Sequence, residues 1–156
     1  MSGRPQSLGK LEKSPGCYGA VTLRRIARGE TLVSFRGLPL VTERSRYSIQ
    51  VDANHHIVTL EASRFEADDF INHGCSPNAF LDARTLEVRA LKDIERGKEV
   101  LLNYCATEED LAEPFECECG SPRCYGHVGG FRLLSRRRQE ALRDIASPWL
   151  KAKYGL

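Results

Sequence analysis

No stretch of this 156-residue sequence approaches the roughly 18 consecutive apolar residues that a membrane-crossing helix needs, which excludes such a helix. The opening residues Met1 to Ser7 are polar and contain no apolar segment of the secretory type. An intracellular, reducing setting is therefore expected, and there clustered cysteines serve as metal ligands more often than as disulfides. Helical periodicity is sparse, so an all-helical fold is not expected. The net charge is only +2, too little to mark a nucleic-acid binder by its overall field.

Hydrophobic content of 41% and charged content of 28% are ordinary for one globular domain, and the length suffices to bury a core. The charge is uneven. From Arg132 onward there are seven Lys/Arg against two Asp/Glu, leaving 16 basic and 19 acidic residues before it. A basic tail on a slightly acidic body reads first as a solvated face and only weakly as a nucleic-acid footprint.

Residues 1–15 are polar, with Gly, Ser and Pro, and read as a mobile arm. The glycine-flanked Pro15-Gly16-Cys17-Tyr18-Gly19 then enters a strand. One turn pattern occurs twice, in Ile26-Ala27-Arg28-Gly29 and Ile94-Glu95-Arg96-Gly97, with each glycine placed for a positive φ before a β-prone run. Short strands are expected over 31–35, 48–51, 57–60, 79–81, 86–90 and 100–104, with a hairpin connection at 82–85. Thr107-Glu108-Glu109-Asp110 suggests one short helix that Pro114 stops, and 63–70 another turn or two. Ala141, Leu142 and Ile145 share one face of a helix over 136–146, with Ser135 as its N-cap. The class that follows is mainly β (α+β).

Cys117, Cys119 and Cys124 form a C-x-C-x4-C cluster turned by Gly120 and Pro122, one ligand short of a tetrahedral zinc site. Cys17, Cys75, Cys105 and His127 are the candidates for the fourth. Cys75 belongs to Asn72-His73-Gly74-Cys75-Ser76-Pro77-Asn78, which packs a polar pair, a thiol and a proline-fixed turn into one short run.

Three segments stand in a telling order: Asn72 to Asn78, then Gly97-Lys98-Glu99-Val100-Leu101-Leu102-Asn103-Tyr104, then Cys117-x-Cys119-Gly120-x3-Cys124-x-Gly126. With them the chain resembles SET-domain protein lysine methyltransferases carrying a post-SET zinc loop. The match runs from about Gly16 to Phe131. The resemblance implies a fold of several small β-sheets with a knot-like crossing, a SET domain over 16–114, a post-SET zinc loop over 115–131 and a C-terminal basic helix over 132–156. It implies S-adenosyl-L-methionine as cofactor, bound by Tyr18, Gly19, Asn72, His73 and Tyr104, with Tyr104 the active-site tyrosine. Tyr47 and Leu102 would line the lysine channel with it. Cys75 becomes the fourth zinc ligand beside Cys117, Cys119 and Cys124. The implied partner is a protein bearing a target lysine, such as a histone, in a nucleus or a bacterial cytoplasm, with neither a membrane nor direct nucleic-acid contact.

The sequence also departs from that family. Cys17 stands at the first glycine of the cofactor motif unless Gly16 serves there with a one-residue insertion, Leu102 stands where Phe or Tyr is usual, and Asn103 in place of Asp. Only Cys17 precedes Asn72, so a pre-SET cysteine cluster is missing. These departures keep a second reading open, a SET-like binding module without catalysis. A zinc-ribbon nucleic-acid binder using Arg136–Arg138 is the third.

Methyl transfer needs a neutral amine, and an ordinary lysine would have to give up about 4–5 kcal/mol to supply one at pH 7. A narrow apolar channel and the cofactor's sulfonium charge both lower that cost. Between Tyr104 and Cys119 the six acidic residues Glu108, Glu109, Asp110, Glu113, Glu116 and Glu118 meet no Lys or Arg, a stretch that would favour a basic peptide.

Overall fold

The computed structural model describes residues 7–61 and 65–156. Among them, the strands in chain order are β1 (Leu8–Ser14), β2 (Cys17–Thr22), β3 (Thr31–Ser34), β4 (Leu40–Val41), β5 (Ile49–Gln50), β6 (His56–Ile57), β7 (Asn72–His73), β8 (Ala79–Asp82), β9 (Glu87–Ala90), β10 (Leu101–Leu102), β11 (Phe115–Glu116) and β12 (His127–Val128). Single 3-10 turns lie at Ala67–Phe70, Tyr104–Ala106 and Phe131–Leu133, and the helices are α1 (Arg136–Ala141) and α2 (Pro148–Tyr154).

These strands form five small sheets: β1-β2, β3-β9-β8, β4-β6-β5, β11-β12 and the parallel pair β10-β7. The β1-β2 hairpin corrects the mobile-arm reading for Leu8–Ser14, which pairs from Leu8 opposite Thr22 to Ser14 opposite Cys17. Its polar, exposed face hid it from a hydrophobicity reading, and Gly16 closes the turn at φ +77°. Residues 1–6, the rest of the expected arm, lie outside the described residues.

The two copies of the Ile-x-Arg-Gly turn pack on one another. Ile26 and Ile94 exchange both backbone hydrogen bonds at 2.9 Å, and both isoleucines are buried. Gly29 (φ +81°) donates to Ala90 O at 2.8 Å and Gly97 (φ +79°) to Thr22 O at 2.7 Å. Each turn thus locks onto the strand beside the other.

Two apolar clusters follow. The first fills the space between the sheets with Ile26, Leu32, Val33, Phe35, Ile57 and Val88 among its members. The second gathers Cys105, Val128, Phe131, Leu142, Ala146 and Leu150. The C-terminal residues therefore close a core of their own. The single helix expected over 136–146 stops at Ala141, and a second begins at Pro148. Pro148 holds Ser147 extended (φ −58°, ψ 148°), and the Ser147 N–H donates to Ala106 O at 2.8 Å.

The basic residues of this segment are largely spent inside the molecule. Arg136 donates to Glu140 Oε1, Tyr154 O and Gly155 O, capping the end of α2. Arg138 lies 4.8 Å over the Tyr125 ring, Arg132 pairs with Asp110 and Lys153 with Glu109. Charge that reads as a tail in sequence acts here as a set of staples.

Candidate active site and cysteine cluster

Cys75 leaves β7, while Cys117, Cys119 and Cys124 lie in the loop between β11 and β12, turned by Gly120 at φ +71°. All four sulfurs fall within 4.8 Å of one another. Cys75 and Cys117 Sγ are 3.8 Å apart, matching the roughly 3.8 Å edge of a tetrahedron with 2.3 Å zinc–sulfur bonds. The other three candidates are elsewhere: Cys105 is fully buried in the second core, Cys17 is exposed on β2, and His127 Nδ1 pairs with Glu116 Oε1 at 2.8 Å. The donor set therefore fits one zinc ion held by four thiolates. Burial pushes the Cys75 thiol up, so a metal would displace a firmly held proton there.

His73 joins this cluster to the expected tyrosine. Its Nδ1 accepts from the Tyr104 N–H at 3.1 Å and its Nε2 is 3.2 Å from Cys75 Sγ. An accepting Nδ1 places the proton on Nε2, aimed at the sulfur. Burial lowers the ring's pKa to about 4, keeping it neutral. The ring is thus a structural spacer, and Phe115 packs edge-on against it at 5.7 Å.

Asn72 ties the other side. Its Nδ2 donates to Tyr18 O at 2.8 Å and to Glu99 Oε1 at 2.9 Å, while Lys13 holds Glu99 Oε2 at 2.9 Å. This junction needs Gly19, because a Cβ there would stand 2.6 Å from Glu99 Oε1. Asn78 fixes the crossing segment: its Nδ2 donates to Glu99 O and its Oδ1 accepts from Leu101 N–H. The parallel register of Leu101 opposite Asn72 and Leu102 opposite His73 completes the alignment.

Tyr104 occupies the 3-10 turn after β10, and its hydroxyl donates to Ile71 O at 2.7 Å. Burial raises its pKa, so the phenol keeps its proton and its lone pairs stay available to accept. Asn103 makes sense of the missing Asp. It is 2% exposed, its Nδ2 donates to the Tyr125 hydroxyl at 2.9 Å and its Oδ1 accepts from Cys105 N–H. An ionised Asp, which only accepts, could not donate to that hydroxyl.

One cleft of about 860 Å³ collects Tyr18, Asn72, His73, Leu102, Tyr104 and Tyr47. Gly19 is not among its lining residues and stands instead against Glu99. An aromatic row links Tyr18 to Phe70 (5.4 Å), Phe65 (6.1 Å) and Tyr47 (4.7 Å), and all but Phe65 line the cleft. Phe65 and Phe70 escaped the sequence reading, although both follow the polar run that precedes Asn72.

Glu108 was also missed as an individual. The helix expected at Thr107–Asp110 is absent, and Glu108 turns inward to accept from Gln50 N–H at 2.7 Å and Thr107 Oγ1 at 3.2 Å. Burial raises its pKa to about 7. Of the acidic stretch, Glu109 and Asp110 are engaged by Lys153 and Arg132, while Glu113, Glu116 and Glu118 line the cleft, Glu113 within 3.9 Å of Arg46 and Glu116 within 2.8 Å of His127.

A β-protein of five small sheets with a deep cleft beside a four-cysteine cluster is the class this geometry defines. The SET domain family matches residues 17–105, and the chain belongs to that family. The methyltransferase flvH of Aspergillus flavus is 41% identical over 63 residues, covering 39% of this chain and 35% of that protein. The histone-lysine N-methyltransferase ash1 of Drosophila melanogaster is 27% identical over 131 residues, or 72% of this chain and 6% of that one. The chain therefore spans well under two thirds of the length of these relatives. Among solved structures, KRYPTONITE in complex with mCHH DNA, H3(1-15) peptide and SAH aligns with a TM-score of 0.57 and 19% identity over 77% of this chain and 29% of that one. That likeness establishes the fold. No helix among the described residues is long and apolar enough to cross a membrane.

Proposed function

We propose that the chain is an S-adenosyl-L-methionine-dependent protein-lysine N-methyltransferase acting on a histone or another basic protein tail. The observation that carries this reading is the single cleft that joins the Tyr18–Asn72–His73 face to the Tyr104–Tyr47 face. The names of the relatives, which include histone-lysine N-methyltransferases, support it. The cofactor, when bound, supplies an electrophilic methyl group. Tyr18, Asn72 and His73 would hold it, with Gly19 leaving room for the Glu99 carboxylate beneath.

Tyr104 and Tyr47 would line the lysine channel with Leu102. The Tyr104 hydroxyl, anchored to Ile71 O, would orient the amine by accepting from it, and this positioning supplies much of the rate. Cys75, Cys117, Cys119 and Cys124 would hold one structural zinc, and Glu113, Glu116 and Glu118 would attract a basic peptide. The domain boundaries at 16–114, 115–131 and 132–156 belong to the same reading. Because the last segment supplies Leu150 and Ala146 to the second core, we assign it a structural role.

The test is transfer of labelled methyl groups to histones and to cell lysate, with Tyr104→Phe as comparison. Labelling by wild type that falls at least about 100-fold in the variant supports the proposal. Wild type and variant equally silent on every acceptor overturn it, and an absent thermal shift with the cofactor would then point to a binding module.

A further inference from the structure

We propose that Glu108 takes the proton from the substrate ammonium and that His56 carries it onward to a second recess. The inference rests on the methyltransferase reading above and supplies the proton route which that reading leaves open. Tyr104 is a poor acceptor for this proton, since its hydroxyl already donates to Ile71 O and burial disfavours the phenolate. Some other group must accept it before the nitrogen can attack.

Glu108 stands at the right place. It lines the same cleft as Tyr104, and its backbone N–H donates to Tyr104 O at 2.9 Å, one turn beyond the tyrosine. Its Oε1 is held by Gln50 N–H and Thr107 Oγ1, leaving Oε2 3.9 Å from His56 Nδ1. His56 is 5% exposed, and among the described residues its Nδ1 has no hydrogen-bond partner. A buried ring nitrogen without a partner is costly, and such exceptions need an explanation.

The two groups also stand between two spaces. His56 lines a polar recess of about 310 Å³ with Arg44, Gln50, Glu109 and Asp110, none of which lines the cleft. Gln50 forms the wall: its N–H holds Glu108, and its side-chain oxygen accepts from Glu109 N–H at 3.0 Å. A proton leaving the cleft through Glu108 and His56 therefore emerges where water can take it.

The charged surroundings suit transfer in both steps. Burial pushes Glu108 up to about 7 and His56 below its ordinary value, so each favours its neutral form. Arg44 lowers both, Asp52 raises and His55 lowers His56, and the Glu108 charge in turn raises Tyr104 and Cys105. The steps balance. The ammonium gives H⁺ to the Glu108 carboxylate, leaving a neutral amine and a carboxylic acid. The amine attacks the methyl carbon, the N–C bond forms, and the broken C–S bond leaves its electron pair on sulfur. Glu108 passes its proton to His56 Nδ1 as His56 releases its Nε2 proton to the recess.

The experiment compares labelled methyl transfer to an H3(1-15) peptide with transfer to the same peptide bearing aminooxy groups in place of the lysine amines. An aminooxy group is already neutral at pH 7 and needs no base. Glu108→Gln should be about 100-fold slower than wild type on the lysine peptide at pH 7, and the gap should close as pH rises toward 10. On the aminooxy peptide the two proteins should match, and His56→Gln should show a smaller loss with the same selectivity. In the free protein, the Glu108 carboxyl carbon resonance, identified by its absence from Glu108→Gln, should titrate near pH 7. Equal losses on both peptides, or a carboxyl midpoint near 4.5, overturn the relay. Active wild type with an indifferent Glu108→Gln overturns the relay alone. Wild type silent on both peptides, on core histones and on cell lysate overturns it together with the reading on which it rests.

Discussion

Glu108→Gln should make the protein more stable at neutral pH, although it removes a residue from the cleft. The folded state raises the Glu108 pKa from 4.5 to about 7, chiefly through burial. A raised carboxylate pKa means that the folded state holds the proton more tightly than the unfolded state. Stability therefore falls as pH rises through the window from 4.5 to about 7, and the penalty is complete above it. At roughly 1.4 kcal/mol per unit the shift corresponds to about 3 kcal/mol. Glutamine keeps an oxygen for Gln50 N–H and Thr107 Oγ1, and its amide can donate to the unpartnered His56 Nδ1. It carries no charge to bury. Thermal melts of both proteins from pH 5 to pH 8 provide the assay. The curves should converge at the acid end and separate by roughly 6–12 °C at pH 8, for a chain of this size. A difference that does not change with pH, or a variant less stable than wild type at pH 8, would refute the assignment of Glu108 as a buried and poorly compensated carboxylate.

Cys75→Ser should lower zinc content and S-adenosylmethionine affinity together, because His73 touches Cys75 with one nitrogen and Tyr104 with the other. Metal analysis and calorimetry on the same preparation check this, and full zinc with unchanged affinity would sink it. Gly19→Ala should weaken cofactor binding about tenfold in calorimetry, since its Cβ would displace Glu99 and release Asn72. Unchanged binding would show that Glu99 moves aside freely. Leu150→Ala should cost about 2–5 kcal/mol in denaturant unfolding, because the side chain is fully buried in the second core. A cost below about 1 kcal/mol would mean that α2 is only loosely docked.

What was legible in the sequence was local or carried by motifs. The strict alternation of Leu86 to Ala90 is observed as the central strand β9 from Glu87 onward, with Leu86 outside it at φ +57°, and the repeated Gly29 and Gly97 are observed in the left-handed region. The cysteine spacing announced three members of the cluster, but only the resemblance singled out Cys75 among four candidates. Spacing carries no information about a sulfur 42 residues away. In space the two segments meet through the Tyr125 N–H, 3.3 Å from Cys75 Sγ, and the Ser76 and Ser121 hydroxyls, 2.7 Å apart. The β1 strand was illegible because edge pairing needs no apolar face, and its residues are mostly exposed. The α2 helix has an N-terminal signal in Ser147-Pro148, but its seven residues are too few for apolar periodicity to mark Leu150 as buried.

Glu108 marks the point where local reading fails for a functional reason. By sequence it is one of six acids in a polar run, where exposure is the ordinary expectation. Its neighbours Glu109 and Asp110 follow that expectation and find Lys153 and Arg132 at the surface. Glu108 instead turns inward because Phe131 N–H donates to its carbonyl and Leu111 N–H to Gly129 O, drawing the segment down onto the second core. The same hydrogen bonds that draw Leu111 and Phe131 into the second core thus force a carboxyl group into the cleft wall, where among the described residues only His56, itself held neutral, comes within ion-pair distance. A purely structural acid at that position would be readily improved by substitution. Next to Tyr104 the same unfavourable charge would give the lysine proton somewhere to go, so the stability gain and the proton-transfer loss of Glu108→Gln should both trace to the one Glu108 ionisation near pH 7.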